Sequence, residues 1–225
     1  MRYKRILMDV DDTLFDFPTG NRRAVEQLMA ELGLSSPTIF EEYQAINHAC
    51  WEALERGEMT QEVLHVERFR RFLARKGRSD DPAAVANRFA ELLGRQAIPL
   101  PHAEETVRAI AERLPVVLLT NGITVIQRQR LANARISQWV SDVIISQEVG
   151  LSKPDPRIFE LALGGLDRRE ALMIGDGLRS DVQGANHAGV DVCWYNPGGK
   201  RLPGDLHAEY EIRDIRDCIP IALMD

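Results

Sequence analysis

Short apolar runs alternate with amphipathic segments along most of the chain. Five runs each hold three or more adjacent apolar residues: "RILMDV" (5–10), "PVVLLTNG" (115–122), "DVIISQ" (142–147), "ALMIGD" (171–176) and "VDVCWYN" (190–196). Continuous runs of this kind are typical of strands buried on both faces, as in a parallel sheet that helices cover. The pattern therefore predicts buried, parallel strands.

Helical spacing fills the segments between the later runs. Segments 103–114, 123–134, 155–163 and 179–189 show it, and the last ends at a glycine, as helices often do. Strand–helix alternation predicts an α/β fold, a doubly wound Rossmann-like parallel sheet.

Residues 20–98 break this rhythm, because helical patterns follow one another there without an intervening strand. The patterns cover 21–34, 38–57, 60–77 and 81–94, and glycines or a proline separate them (Gly33, Gly57, Gly77, Pro82). We therefore predict an all-helical subdomain, residues 17–98, inserted into a core made of 1–16 and 99–225.

Composition and charge indicate which broad class of protein this is and which partners are not expected. The chain has 225 residues, 44% hydrophobic and 28% charged, which is typical of a globular protein, and its net charge of −6 gives no reason to expect nucleic acid or an anionic membrane as partner. The first apolar run is too short for a signal peptide or a membrane span. Three widely spaced cysteines (Cys50, Cys193, Cys218) predict a reducing, cytoplasmic location rather than a disulfide framework.

Polar side chains follow four of the predicted strands. In open α/β sheets, ligands bind beyond the carboxyl ends of the strands. The residues found there are Asp9 and Asp11 after the first strand, Thr120 and Asn121 after the second, Lys153 after the third, and Asp176 and Asp181 after the fourth.

Asp9 and Asp11 are two residues apart, so in an extended segment their side chains point the same way. Oxygen ligands suit Mg²⁺, which takes one or two carboxylates together with waters and phosphate oxygens. Asp176 can supply the second carboxylate. The alternative is an Asp-rich turn that caps a helix at Thr13.

The other strand ends also have a plain alternative. Thr120 and the amides near Asn121 could bind an anion at a helix start, or they could form an ordinary Asn-Gly turn. Lys153 could meet a phosphate as a point charge, or it could be a solvated loop lysine. Asp176 and Asp181 could simply cap the helix over 179–188.

Taken in order, these segments resemble a known set of motifs. "DVDDTLF" (9–15), "LLTNG" (118–122), "KP" (153–154) and "GDGLRSD" (175–181) are similar to the four motifs of the haloacid dehalogenase-like hydrolase superfamily, and the helical insertion resembles its first-site cap. The resemblance covers almost the whole chain. Because the dehalogenases of this superfamily lack an acid two residues after the nucleophile, Asp11 implies phosphoryl transfer.

The resemblance also implies catalytic and metal-binding roles. Asp9 would attack phosphorus and form an aspartyl-phosphate, while Asp11 would protonate the leaving oxygen and then activate water. Mg²⁺ would be held by the Asp9 side chain, the Asp11 backbone carbonyl and Asp176. General acid–base help of this kind contributes roughly 10²–10⁴-fold.

Further residues would hold the phosphate. By the same resemblance, Thr120, backbone amides near Asn121 and the ammonium of Lys153 would bind the phosphoryl oxygens. Asp181 would orient Lys153 rather than touch the metal.

Several segments resemble one subfamily more closely, the pyrimidine 5′-nucleotidases that remove noncanonical nucleotides. They are Asp12, where many relatives carry Gly, and the stretches 41–60, 120–131 and 145–159. The sequence departs at Gly177, where that subfamily more often has Thr. The likeness implies (deoxy)pyrimidine nucleoside monophosphates as substrates, selected by a cap that closes over the base.

Tyr43, Asn47 and Trp51 lie along one helical stripe of this cap. Tyr43 could stack on a base and Asn47 could read its edge, whereas Trp51 is better explained as a core residue. Gln127 and Arg130 could face the cap, but a surface location is the default expectation for both.

Rival interpretations use the same residues. A sugar-phosphate or phosphoglycolate phosphatase, or a phosphomutase resembling β-phosphoglucomutase, would share every catalytic position. A non-catalytic regulatory or binding protein is the rival of another class, and the intact set Asp9, Asp11, Lys153 and Asp176 argues against it. The expected partner is a small phosphate monoester, and the expected assembly is a monomer or a weak homodimer.

Overall fold

A computed structural model describes the backbone of residues 1–225 and every side chain except that of residue 55. The strands are β1 (Arg5–Met8), β2 (Val116–Thr120), β3 (Asp142–Ile145), β4 (Ala171–Gly175), β5 (Asp191–Tyr195) and β6 (Tyr210–Ile212). The helices are α1 (Phe17–Glu31), α2 (Ile39–Glu55), α3 (Gln61–Arg75), α4 (Pro82–Gly94), α5 (Ala103–Ala111), α6 (Thr124–Ala132), α7 (Ser146–Val149), α8 (Pro156–Leu163), α9 (Gly184–Ala188) and α10 (Cys218–Ala222).

The described strands form one six-stranded sheet in the order β3-β2-β1-β4-β5-β6. Every neighbouring pair is parallel. The predicted α/β class, a doubly wound parallel sheet, is confirmed. Strand β1 lies where the chain order reverses between β2 and β4, which is the place where such sheets bind ligands.

The sheet is buried on both faces, which explains the continuous apolar runs. Successive residues of β1 join different clusters: Ile6 and Met8 pack with Leu118, while Leu7 packs with Leu119 and Met173. Because side chains alternate along a strand, the two clusters cover opposite faces.

Strand β6, the short helices α7 and α10, and the start of α9 differ from the sequence-based prediction. Strand β6 was not predicted, because it has three residues, "YEI", of which only Ile212 is buried. The segment predicted as one helix over 179–189 begins with a wider π-helical turn at Leu178–Gln183 before α9 starts. The spacing of apolar residues cannot distinguish a π-helical turn from an α-helical turn over so short a stretch.

The chain divides into two compact units. The first comprises Met1–Phe17, Ala97–Thr124 and Leu131–Asp225, and the second comprises Pro18–Gln96 with Val125–Arg130. The second, which we call the helical unit, therefore also takes in part of α6, a segment that the sequence analysis assigned to the core.

Gln127 and Arg130, in that part of α6, are buried, so the default expectation of a surface location was wrong. The Nη1 of Arg130 donates to Oε1 of Gln127 at 2.9 Å, and its Nε donates to the carbonyl oxygen of Gln96 at 3.3 Å. These polar contacts reduce the cost of burying the two side chains.

Aromatic rings form the centre of the helical unit. Tyr43 stacks on Phe69 with ring centroids 5.3 Å apart and contacts Phe72 and Phe89, each at 5.9 Å. Two helices of this unit have side-chain N-caps: Thr60 precedes α3 and accepts from the Val63 amide, and Asp81 precedes α4, whose first residue is Pro82.

Among the residues that the structure describes, none of the helices combines the length and the apolar character needed to cross a lipid bilayer.

Candidate active site

The residues predicted at the strand ends meet at the carboxyl edge of the sheet. Asp9 directly follows β1, and its amide donates to the Ile174 carbonyl at 2.9 Å, which extends the pairing of β1 with β4 by one residue. Lys153 reaches the same place from the loop after β3, with its Nζ 2.5 Å from Oδ1 of Asp9. Both side chains are buried.

Asp181 holds Lys153 from the other side. Its Oδ1 lies 2.6 Å from the Lys153 Nζ, and its Oδ2 accepts the Gly177 amide at 2.9 Å. The ammonium is thereby fixed between two carboxylates, Asp9 and Asp181.

A second fixed contact joins the loops after β2 and β3. The Asn121 side chain donates to the Lys153 carbonyl at 2.7 Å and accepts the Lys153 amide at 2.8 Å. Thr120, almost fully buried, accepts the Gly122 amide through Oγ1 at 3.2 Å. The Asn121 side chain therefore positions Lys153, and the hydroxyl of Thr120 lies at the same end of the sheet.

Thr13 connects the ends of β1 and β4. Its Oγ1 lies 3.5 Å from Oδ2 of Asp9 and 3.3 Å from Oδ1 of Asp176, and it accepts the Asp176 amide at 3.1 Å. The sequence analysis considered Thr13 only as the start of a capped helix. One feature of the sequence could have indicated its contact with these acids: Thr13 is a hydroxyl residue that directly follows Asp11 and Asp12.

Three carboxylates lie close enough together to share a cation. Asp9, Asp176 and Asp181 each offer one oxygen within 4.8 Å of the others. Oxygen-only donors fit a hard divalent cation such as Mg²⁺. Both oxygens of Asp181 are engaged, Oδ1 by Lys153 and Oδ2 by the Gly177 amide, whereas Lys153 engages only Oδ1 of Asp9. Asp9 and Asp176 are therefore the better placed ligands.

The pKa values reflect this crowding. Burial, with Asp181 and Asp12 adding to it, raises the pKa of Asp176 to about 7. Burial also raises the pKa of Asp9, while the Lys153 ammonium acts in the opposite direction. Burial disfavours the Lys153 ammonium, but Asp181 and Asp9 outweigh it and raise the pKa of Lys153. Lys153 is therefore a cation that only partly offsets the surrounding acids.

The two remaining acids of this loop differ in backbone conformation. Asp11 is half-buried, and its backbone bridges to that of Phe15. Asp12 has a φ of 62°, in the left-handed region. Aspartate is among the few residues that adopt this region readily besides glycine. That tolerance accounts for an Asp at a position where many members of the resembled superfamily carry Gly.

Residues predicted to contact the substrate lie on α2. Asn47 is half-buried, and its Oδ1 accepts from Nη1 of Arg68 at 3.1 Å. Since a guanidinium only donates, this contact orients the amide so that its Nδ2 points away, 3.4 Å from Oε1 of Gln44. Tyr43 is fully buried among aromatic rings and exposes no ring face, and Trp51 is partly buried.

Comparisons with known proteins agree with this geometry. The family described as haloacid dehalogenase-like hydrolase matches residues 3–189. The pyrimidine 5′-nucleotidase PynA of Streptococcus pneumoniae is 33% identical, over 97% of this chain and 96% of its own. A phosphoserine phosphatase of Thermus thermophilus is 34% identical, over 95% of this chain and 97% of its own. The crystal structure of the HAD-hydrolase YfnB from Bacillus subtilis, bound to magnesium, superposes with a TM-score of 0.89 at 27% identity over 100% of both chains.

Proposed function

The chain belongs to the haloacid dehalogenase-like hydrolases, and from that premise we propose that it is a Mg²⁺-dependent 5′-nucleotidase that acts on pyrimidine nucleoside monophosphates through an aspartyl-phosphate. Phosphatase activity itself follows from the family and from the named activities of its relatives. The substrate, the metal and the roles of single residues are the proposed part.

The observation that carries the chemistry is the contact between Lys153 and Asp9 at the carboxyl edge of the sheet. A carboxylate that attacks a phosphate dianion meets electrostatic repulsion, so it needs fixed positive charge beside it. The buried Lys153 ammonium, 2.5 Å from Asp9, supplies such a charge.

The proposed reaction has two steps. An oxygen of Asp9 forms a bond to phosphorus as the P–O ester bond breaks, and Asp11 gives its proton to the leaving oxygen. Water then attacks the phosphoryl group, Asp11 takes a proton from that water, and Asp9 is released with inorganic phosphate. Thr120, backbone amides near Asn121 and the Lys153 ammonium hold the phosphoryl oxygens throughout.

Asp9, Asp176 and the backbone carbonyl of Asp11 would hold the Mg²⁺. When bound, the cation offsets the charge of the phosphate and of these acids. The clustered carboxylates support this assignment, because oxygen-only donors this close together suit a hard divalent cation.

Nucleotide specificity is supported by similarity to PynA, whose named activity is pyrimidine 5′-nucleotidase and whose length the chain matches almost fully. One second candidate has comparable support. The Thermus thermophilus relative, at 34% identity, is named a phosphoserine phosphatase, so O-phosphoserine is the competing substrate.

A substrate panel tests the proposal. We expect Mg²⁺-dependent release of phosphate from dUMP and dTMP, with kcat/KM about 10-fold or more above those for O-phosphoserine, glucose 6-phosphate and phosphoglycolate. The Asp9→Asn variant should lose more than about 10³-fold of this activity, because removal of a nucleophile abolishes the covalent route.

The control reaction is hydrolysis of p-nitrophenyl phosphate with and without Mg²⁺. Turnover of this ester with no preference for nucleotides would reject the nucleotidase assignment and retain the phosphatase. An Asp9→Asn variant as active as the parent would reject the catalytic assignment itself.

A further inference from the structure

Asp176 is held by its backbone as well as by its side chain. Its amide donates to Oγ1 of Thr13 at 3.1 Å, and its carbonyl accepts from Nε1 of Trp194 at 3.0 Å. Both polar backbone groups of this residue are therefore paired with side chains from other parts of the chain.

Trp194 is rigidly placed. It lies on β5, directly beside Gly175 in the register of β4 with β5, and only 1% of its surface is exposed. The indole belongs to the apolar cluster that covers one face of the sheet. Its one polar atom is therefore fixed by close packing, and a buried indole N–H requires an acceptor.

The acceptor of the indole N–H is the backbone carbonyl of a residue in the proposed metal site. Asp176 is the first residue after β4, where the chain leaves the sheet, and its carboxylate belongs to the acidic cluster with Asp9 and Asp181. A rotation of the Asp176 peptide group would move this carboxylate. The Trp194 hydrogen bond opposes such a rotation.

We propose that Trp194 is a positioning residue that holds Asp176 in the geometry needed to bind a divalent cation. The inference rests on the proposed metal site. Partners that orient a metal ligand typically change metal affinity 10–100-fold when they are removed. Trp194 does not itself touch the cation or the substrate.

The variant Trp194→Phe tests this role, because it keeps an aromatic ring in the core and removes only the Nε1–H donor and part of the ring. We expect isothermal titration of the metal-free protein with Mg²⁺ to show affinity about 10-fold weaker than that of the parent. Turnover of p-nitrophenyl phosphate should recover as Mg²⁺ is raised. The matched control is Trp139→Phe, since Trp139 is partly buried and lies over Arg135, and it should bind Mg²⁺ like the parent.

A second measurement decides the matter if Trp194→Phe does not fold. The chain has three tryptophans, so a protein with Trp51→Phe and Trp139→Phe retains Trp194 alone. Its fluorescence should change during Mg²⁺ titration, with the same midpoint as the calorimetric binding curve.

The outcomes separate the two proposals. If the parent protein does not bind Mg²⁺, the proposed metal-dependent function fails. If the parent binds Mg²⁺ but Trp194→Phe binds it equally well, the inference about Trp194 is overturned. It is likewise overturned if calorimetry shows Mg²⁺ binding to the protein that retains only Trp194 but the fluorescence of that tryptophan does not change.

Discussion

At the scale of single residues, the site is a balance of buried charges. Lys153 is 2.5 Å from Asp9 and 2.6 Å from Asp181, while Asp176 lies in the same cluster. One ammonium faces three carboxyl groups. Burial, together with the neighbouring carboxylates of Asp181 and Asp12, raises the pKa of Asp176 from its ordinary 3.8 to about 7.

This pKa predicts how Mg²⁺ binding depends on pH. At pH 6 most of the Asp176 carboxyl is protonated, so a cation must displace a proton and its affinity should be about 10-fold lower than at pH 8. A carboxyl whose pKa is raised by folding destabilises the metal-free protein as pH rises from about 4 through about 7, because the unfolded chain ionises more easily.

We therefore expect Mg²⁺ to raise the unfolding temperature more at pH 8 than at pH 6. Differential scanning calorimetry at both pH values, with Mg²⁺ and with EDTA, measures this difference. An equal Mg²⁺ effect at both pH values would contradict the assignment of Asp176 as a titrating ligand.

At the scale of secondary-structure elements, close packing of α8 and α9 supports the Lys153 loop. Gly184 begins α9, and a Cβ at this position would lie 2.7 Å from Cε2 of Phe159 and 3.0 Å from Cα of Pro154. Pro154 follows Lys153 directly in the chain. The absence of a side chain at Gly184 thus allows the two helices and the loop to approach one another.

The variant Gly184→Ala should be overpacked. We expect a loss of about 1–3 kcal/mol in the free energy of unfolding, measured by urea denaturation, because a backbone atom of Pro154 and the ring of Phe159 must shift. Gly198→Ala is the control, since a Cβ there meets no atom within 4 Å, and it should change stability by less than about 0.5 kcal/mol. Equal stability of both variants with the parent would show that the contact relaxes without cost.

At the scale of the whole molecule, we propose that chemistry and substrate selection belong to different units. The residues around Asp9 and Lys153 belong to the unit that contains the sheet, whereas Asn47 belongs to the helical unit. Arg68, which orients Asn47, is 3% exposed and lies 5.1 Å and 4.9 Å from the ring centroids of Phe69 and Phe89. A buried cation that fixes one amide is a costly arrangement, which favours a functional role for Asn47.

We therefore propose that the Asn47 amide donates to a carbonyl oxygen of the pyrimidine base. Asn47→Ala should lower kcat/KM for dUMP by about 10-fold, the loss typical of one hydrogen bond, and should lower that for p-nitrophenyl phosphate less. The control is Asn87→Ala, an exposed asparagine of the same unit. Equal losses for both substrates in Asn47→Ala would indicate a structural role instead.

Much of this protein could be predicted from local pattern. Burial on both faces imposes continuous apolar runs on a parallel sheet, so β1 to β5 were visible in the sequence, as were the helices of the inserted segment. The acids, the hydroxyl and the lysine stood out because polar residues follow those runs at the strand ends. Their likeness to the four motifs of one superfamily then implied a role for each of these residues.

Tertiary structure decided the contacts between residues that are far apart in sequence. Lys153 meets Asp9 across 144 positions, Thr13 meets Asp176 across 163, and Trp194 meets the Asp176 carbonyl across 18. No local period encodes such pairs. The burial of Gln127 and Arg130 was missed for the same reason, whereas β6 was missed because it is short and only Ile212 is buried. Sequence therefore determined which chemical groups stand at each strand end, whereas only the folded sheet decided which of them touch, because strand order and close packing bring distant positions together.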